Sequence, residues 1–296
     1  MPDIAMTLLS EDALKVPFTI YSWMLNTFCA GDHTAVLSYV LYILSIAFCM
    51  IIPYLIGSIN PAIIISQKVY DDDIRTHGSG NAGTTNTLRT FGKKTAALIL
   101  LLDLSKAAIS VLIGSLLLTR SVGGAIAGFF VILGHMFPMF YKFKGGKGVA
   151  CTAMVMLLLS PVSFLILLLL FVGIVLMTRF VSLASIMAVM FFPLLNHVFY
   201  PWEGGITLSA FCIMLAVVFM HRENIKRLLA GKESKINLGR SKKERAAAKE
   251  RMKAAAEREY GDSDFVKCSC GRLIPVSRET CAYCGAKNEK YVKREE

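Results

Sequence analysis

From about residue 35 to residue 220 the chain is a series of apolar runs separated by short polar breaks, roughly 37–58, 95–118, 123–141, 147–160, 162–178, 181–200 and 205–220. Runs of this composition with almost no charge predict membrane-crossing helices, although several fall short of the ~20 residues that a perpendicular crossing takes. The fourth run is the weakest, because Pro161 cuts it from the fifth; it reads as a half-span or as one arm of a tight helical hairpin. Residues 13–30 form a further apolar stretch, broken by Pro17 and Asn26, and read as an interfacial helix rather than an eighth span. Residues 240–260 are rich in Ala, Lys, Arg and Glu with no apolar face, which predicts an exposed charged helix.

Basic residues give these runs a direction. If the first run crosses from outside to inside, Lys68, Arg75, Arg89, Lys93, Lys94, Lys142, Lys144, Lys147 and Arg179 all fall in cytoplasmic loops, and only Arg120 falls outside. Phe140, Tyr141, Tyr200 and Trp202 stand at run ends, where amphipathic rings favour the headgroup layer. The acidic start at Asp3, Glu11 and Asp12 lacks the positive region of a cleavable signal. The expectation is an all-α polytopic membrane protein with seven transmembrane helices, its N-terminus outside and its C-terminus cytoplasmic. The boundaries read as an extension over 1–34, a seven-span body over 35–235, a charged linker over 236–264 and a small cysteine module over 265–296.

Composition sharpens this picture. Of 296 residues 55% are hydrophobic and only 18% charged, and the mean hydropathy is +0.56, all of which exclude an ordinary soluble domain. The formal net charge is +11, most of it beyond residue 220. Beside a membrane body, such a basic tail reads as attraction to anionic lipid headgroups and not as a nucleic-acid surface.

Three polar, glycine-rich patches interrupt the apolar body, and by the orientation above all three face the cytoplasm. The first is GSINP at 57–61 followed by DIRTHGSGNAGTTNTLR at 73–89. Gly78, Gly80 and Gly83 keep side chains clear of the backbone so that successive N–H groups can cradle an anion, and Ser79, Asn81, Thr84, Thr85 and Asn86 add neutral donors. Arg89 supplies a fork that suits phosphate. The glycines also spell the dinucleotide fingerprint, but the segment follows a membrane helix and opens no βαβ unit. The second patch, GHMFPMFYKFKGGKGVA at 134–150, sets Lys147 among Gly145, Gly146 and Gly148 at the start of the fourth run, an anion site at a helix N-terminus. Gly148 stands where a Walker loop needs Ser or Thr. The third patch, HRENIKRLLAGKE at 221–233, puts His221 and Asn224 three apart on one helix face, with Arg222 and Glu223 turned away.

Taken together and in this order, the three patches resemble the motifs of the bacterial acyl-phosphate:glycerol-3-phosphate acyltransferases of the PlsY type, over roughly residues 40–235. The resemblance implies a seven-span helical enzyme with a cytoplasmic active site. It implies that Ser79, Arg89 and Lys147 hold phosphate groups, that His221 and Asn224 line the reaction centre, and that Glu223 is structural. Both implied substrates, acyl phosphate and glycerol-3-phosphate, carry phosphate, so two anion cradles are what the reaction needs. An acyl phosphate is already activated, which leaves the protein to orient a hydroxyl and stabilise charge. Arg89 and Lys147 are expected to carry the charge term and His221 with Asn224 to place the hydroxyl; His221 or the departing phosphate takes the proton. No cofactor is expected for catalysis. Thioester-using acyltransferases carry His followed by Asp five positions on; here Ser38, Ala82, Phe140, Trp202 and Lys226 stand five after the five histidines. A transporter of a phosphorylated metabolite is the alternative, but it calls for a midplane site and repeated halves, whereas the patches gather at one face.

Asp71 and Asp72 read as a solvated run, Asp73 belongs to the DIR motif, and Asp103 with Lys106 reads as a structural ion pair inside the second span. Cys29, Cys49, Cys151 and Cys212 read as small buried apolar groups. Cys268, Cys270, Cys281 and Cys284 form two close pairs, each followed by glycine, which resemble a zinc ribbon with the first pair one residue short. A structural zinc, and a protein partner bound through this tail, are the corresponding expectations.

Overall fold

The computed structural model describes residues 19–28 and 34–236, and within the tail residues 265–268, 273–276, 279–281 and 286–288. The chain divides into two compact units, 1–235 and 236–296. The expected helix over 240–260 lies outside the described residues, as do Cys29, Cys270 and Cys284.

Unit one is helical. Its elements are α1 (Ile20–Phe28), α2 (Thr34–Ser58), α3 (Pro61–Val69), α4 (Thr84–Thr90), α5 (Lys93–Leu117), α6 (Ala125–Met136), α7 (Val149–Leu159), α8 (Pro161–Thr178), α9 (Val181–Phe199), α10 (Gly204–Met220) and α11 (Arg222–Leu229). Every apolar run of the sequence is thus helical, but the expectation of seven spans is met only in part. Among the described residues five helical stretches are long and apolar enough to cross a membrane: Val36–Val69, Lys93–Leu117, Arg120–Tyr141, Pro161–Thr178 and Val181–Phe199. A sixth is reached if α10 and α11, bent by 58° at His221, count as one span. Helix α7 has 11 residues, and at ~1.5 Å per residue it reaches about half of a ~30 Å hydrocarbon core. Its limits are local: Gly148 in left-handed conformation starts it and the Ser160–Pro161 break ends it.

The outer faces are apolar. On α8 only Ser163, Leu167 and Val175 are buried, four and eight apart, while Leu165, Leu169 and Leu176 lie on the exposed side. α5 likewise exposes Leu101, Ile109, Leu112 and Leu116. Apolar surface on this scale has a hydrocarbon solvent. The sequence stretch read as interfacial contributes α1, which starts at Thr19 with the Thr19 and Ser22 hydroxyls bonded to each other's backbone, and Tyr21 packs on Tyr42 of α2 at 5.5 Å.

GSINP proves to be a helix restart. Asn60 caps α3, its side chain accepting from Ala62 and Ile63 N–H at 3.1 and 3.2 Å, with Pro61 at the first helical position. Inside the bundle Asp103 and Lys106 form the expected ion pair at 2.8 Å, and His135 joins it, its Nδ1 2.9 Å from the ammonium and 3.2 Å from the carboxylate. The same ammonium donates to the carbonyls of Gly57 and Ile59, so one buried charge ties the GSINP break to α5 and α6. Asp103, His135 and Cys151 also lie close enough to ligate a metal, but the Lys106 ammonium is already the cation bound by the Asp103 carboxylate and His135 Nδ1.

The tail unit contains a two-stranded antiparallel ribbon, β1 (Phe265–Lys267) with β2 (Leu273–Pro275), Val266 facing Ile274. A second antiparallel bridge joins Thr280 to Lys287, with the Cys281 N–H donating to Ala286 O. Cys268 and Cys281 are buried around Ile274.

Candidate functional site

A cavity of about 750 Å³ opens where the three patches meet. Its polar mouth is formed by Gly78, Ser79, Asn81, Thr84, Thr85 and Arg89 from the first patch, Lys147 and Gly148 from the second, and His221 and Asn224 from the third. Below the mouth the walls turn apolar: Leu100 and Leu104 of α5, Met156 of α7, Phe164, Leu167 and Phe171 of α8, and Val189 of α9. The four residues expected to carry the chemistry, Arg89, Lys147, His221 and Asn224, therefore share one cavity, although up to 135 positions separate them in the chain.

Each loop is held from below. Asp73 caps the turn Ile74–Thr76 and takes a bidentate bond from Arg75, which keeps its carboxyl below the usual range. Arg75 then reaches across to Tyr141 O at 3.1 Å and so fastens the first loop to the second. Asn86 has a different role from the donor role expected of it. Its carbonyl accepts Ser79 N–H at 3.0 Å and its amide donates to Ile74 O and His77 O, so its polar atoms shape the loop and are spent there. The Gly80 N–H is likewise taken, by His77 O, whereas the first turn of α4, at Thr84 and Thr85, faces the mouth with a glycine cap that brings no side chain.

Gly145 and Gly146 also correct the sequence reading. Their N–H groups donate to Met136 O and His135 O, both at 3.1 Å, and are unavailable to a ligand. They are glycines because α6 lies against them: a Cβ on Gly146 would stand 2.1 Å from His135 Nε2. Close packing at these two positions places the next residue, Lys147, at the mouth. Its ammonium donates to Asn224 Oδ1. Burial, then the nearby Arg227, lower its pKa to about 8, against a smaller opposing pull from Glu233.

His221 sits at the bend between α10 and α11 and is 2% exposed. Its Nδ1 lies 2.8 Å from Val217 O, and a carbonyl only accepts, so Nδ1 carries the proton and the neutral ring keeps a lone pair on Nε2. Asn224, one turn on, donates to Glu233 Oε1 at 2.7 Å.

Glu233, Arg227 and Ser182 line the same cavity and were not singled out in the sequence. Gly231, at φ +65°, reverses the chain after α11 and brings Glu233 back over Asn224. There its carboxylate accepts from Ser182 and Asn224 (both 2.7 Å) and from Arg227 Nε (2.8 Å). Burial works to raise its pKa, but these donors outweigh it and hold the group below the ordinary value. The structural part expected of Glu223 is thus played by Glu233, since among the described residues Glu223 makes only an exposed pair with Lys226. Arg227 was legible in principle, because three positions after Asn224 is the same helix face. Glu233 was not, because nothing local announces where a chain lands after a reversal.

The glycerol-3-phosphate acyltransferase family model matches residues 47–231. A glycerol-3-phosphate acyltransferase of Thermoanaerobacter sp. (strain X514) is 46% identical over 188 residues, covering 63% of this chain and 93% of the relative. One from Finegoldia magna is 39% identical with the same coverages. The solved structure of PlsY (YgiH), an integral membrane glycerol 3-phosphate acyltransferase, in its glycerol 3-phosphate form superposes with a TM-score of 0.62 at 39% identity, covering 65% of this chain and 96% of that one. Its lysophosphatidic acid form gives 0.60 at 38%. With helices sheathed in apolar surface and an integral membrane relative matched almost end to end, this is a multi-pass membrane protein. The model match spans well over half of the sequence and reaches from α2 to the Gly231 reversal, so the chain belongs to the glycerol-3-phosphate acyltransferase (PlsY) family.

Proposed function

We propose that the protein transfers a fatty acyl group from acyl phosphate to the sn-1 hydroxyl of glycerol-3-phosphate, giving lysophosphatidic acid and inorganic phosphate, at the cytoplasmic face of the membrane. The observation that carries this is a single cavity with cations at its mouth and an apolar depth between α5, α7, α8 and α9. Phosphates belong at the first and an acyl chain in the second. The relatives point the same way, one having been solved with glycerol 3-phosphate and again with lysophosphatidic acid. The cytoplasmic side follows from the nine basic residues expected in loops on that face.

In this reading Ser79, Thr85, Arg89, Lys147 and Gly148 grip phosphate, and Asn224, oriented by Glu233, aligns the reactants. The acceptor hydroxyl donates to His221 Nε2 while its oxygen attacks the acyl carbonyl. The carbonyl–phosphate bond breaks, the leaving phosphate takes the electron pair, and the proton passes to His221 or to that phosphate. No cofactor enters the step. The test is the purified protein in liposomes with acyl phosphate and glycerol-3-phosphate, following lysophosphatidic acid and released phosphate, with an acyl thioester as control donor. Equal amounts of both products from acyl phosphate are expected. No acyl phosphate turnover, together with glycerol-3-phosphate uptake into the liposomes, would replace the enzyme with a transporter.

For the tail we propose one structural zinc held by four cysteines, with docking of a protein partner as the module's use. The sequence spacing supports it, as does the placing of Cys268 at the end of β1 and Cys281 beside the second bridge, buried around one residue. Elemental analysis of the full-length protein is expected to give one zinc per chain, lost on Cys268→Ser/Cys281→Ser with acyl transfer retained. A metal-free wild-type protein would remove the proposal.

A further inference from the structure

Lys147 is not the only cation turned toward the inner end of the mouth. Arg227 lines the cavity too, and its Nε is fixed at 2.8 Å by Glu233 Oε2. Among the described residues neither of its Nη atoms makes a hydrogen bond. Glu233 Oε1 serves Ser182 and Asn224, and Oε2 pairs with Arg227 through Nε alone, so the carboxylate balances one positive charge and leaves both Nη groups to a ligand. The other carboxylate lining the cavity, Asp103, is paired with Lys106, so Glu233 alone balances Arg89, Lys147 and Arg227, an excess of positive charge that suits anions. Arg227 is the charged neighbour that Lys147 feels most, so these two cations stand together, with Arg89 a weaker influence.

Their supports place them. Lys147 stands two positions before α7, next to its cap Gly148, and Glu233 ties Arg227 to Ser182 in the first turn of α9. Helices α7 and α9 are walls of the apolar depth, through Met156 and Val189. Arg89 instead stands on α4, next to the Ser79 loop. Chain and phosphate belong to one molecule in an acyl phosphate, so its phosphate has to lie at the top of the pocket that takes its chain.

We propose that the Arg227 guanidinium, together with Lys147, is the fork that binds the phosphate of the acyl donor, while Arg89 and the Ser79 loop bind the phosphate of the acceptor. This rests on acyl phosphate being the donor. As the bond from the glycerol oxygen to the carbonyl carbon forms and the bond to phosphate oxygen breaks, the electron pair departs onto the phosphate. Arg227 offers two parallel N–H donors to the charge that grows there.

The test uses the full-length protein in liposomes with Arg227→Gln and Arg227→Lys. Three quantities are read for each: KM for acyl phosphate, KM for glycerol-3-phosphate, and the inhibition constant of inorganic phosphate. A charged hydrogen-bonding pair lost from such a site is expected to raise the acyl phosphate KM and the phosphate inhibition constant about 10- to 100-fold in R227Q. The glycerol-3-phosphate KM should stay within about threefold. R227K should recover part of kcat but not phosphate affinity, because lysine brings a point charge without the fork. An unchanged phosphate inhibition constant overturns the proposal, and so does a rise in the glycerol-3-phosphate KM equal to or above that for the donor, as a merely structural loss would give. Wild-type protein that turns over no acyl phosphate sinks the donor assignment; calorimetry with inorganic phosphate then still decides whether Arg227 binds it.

Discussion

Lys147→Met is expected to lower kcat/KM about 1,000-fold, the scale on which a single preorganised electrostatic contact to a reacting group acts. Lys147 is the one lysine of the second patch lining the cavity, whereas Lys142 and Lys144 lie exposed outside it. Its lowered pKa of about 8 makes a second, independent reading possible. The ammonium form binds phosphate, so kcat/KM should fall as pH rises through about 8, while kcat, measured with phosphate bound beside the ammonium, should fall only at higher pH. Lys147→Arg should keep part of the activity and lose the alkaline limb, because a guanidinium stays charged. Stability moves the other way. A lysine at about 8 when folded and 10.5 when unfolded binds more protons in the unfolded chain across that interval, so this group's contribution to stability rises with pH from about 8 to 10.5. A pH profile flat through 8 in the wild type, or unchanged by Lys147→Arg, would assign the limb elsewhere.

The apolar runs located the helices, because twenty consecutive apolar residues leave the backbone no other way to satisfy its polar groups in lipid. Length was harder to read. The run over 147–160 begins inside a glycine loop and ends at Ser160, so only Val149–Leu159 is helix, and the sequence pattern alone does not separate loop glycines from helix glycines. The site residues that a motif carries as side-chain chemistry, Arg89, Lys147, His221 and Asn224, came together in one cavity. What the pattern misassigned were groups whose partners are distant. Asn86, Gly145 and Gly146 have the composition of anion ligands, yet their polar atoms serve loop backbone and α6. Glu233 has the composition of a solvated tail residue, yet it holds three donors, one of them Ser182, 51 positions away.

Gly146→Ala is expected to lower kcat/KM about 100-fold, without touching any residue assigned to the chemistry, since a displacement near 1 Å at a reacting group has that cost. The added Cβ would lie 2.1 Å from His135 Nε2 and 2.7 Å from Ala82 O. His135 has nowhere to retreat: it is 3% exposed, and its other nitrogen is held by Lys106 and Asp103. The Ala82 oxygen is backbone, so the glycine loop itself must lift, loosening the bond from Gly146 N–H to His135 O and carrying Lys147 away from Asn224. KM for both phosphate substrates should rise with the loss in kcat, and the melting temperature should fall. Gly173→Ala on α8 is the matched control, because a Cβ there meets nothing within 4 Å and the position lines no part of the cavity. Wild-type kinetics in Gly146→Ala would mean that Lys147 is not placed by the packing of its loop against α6.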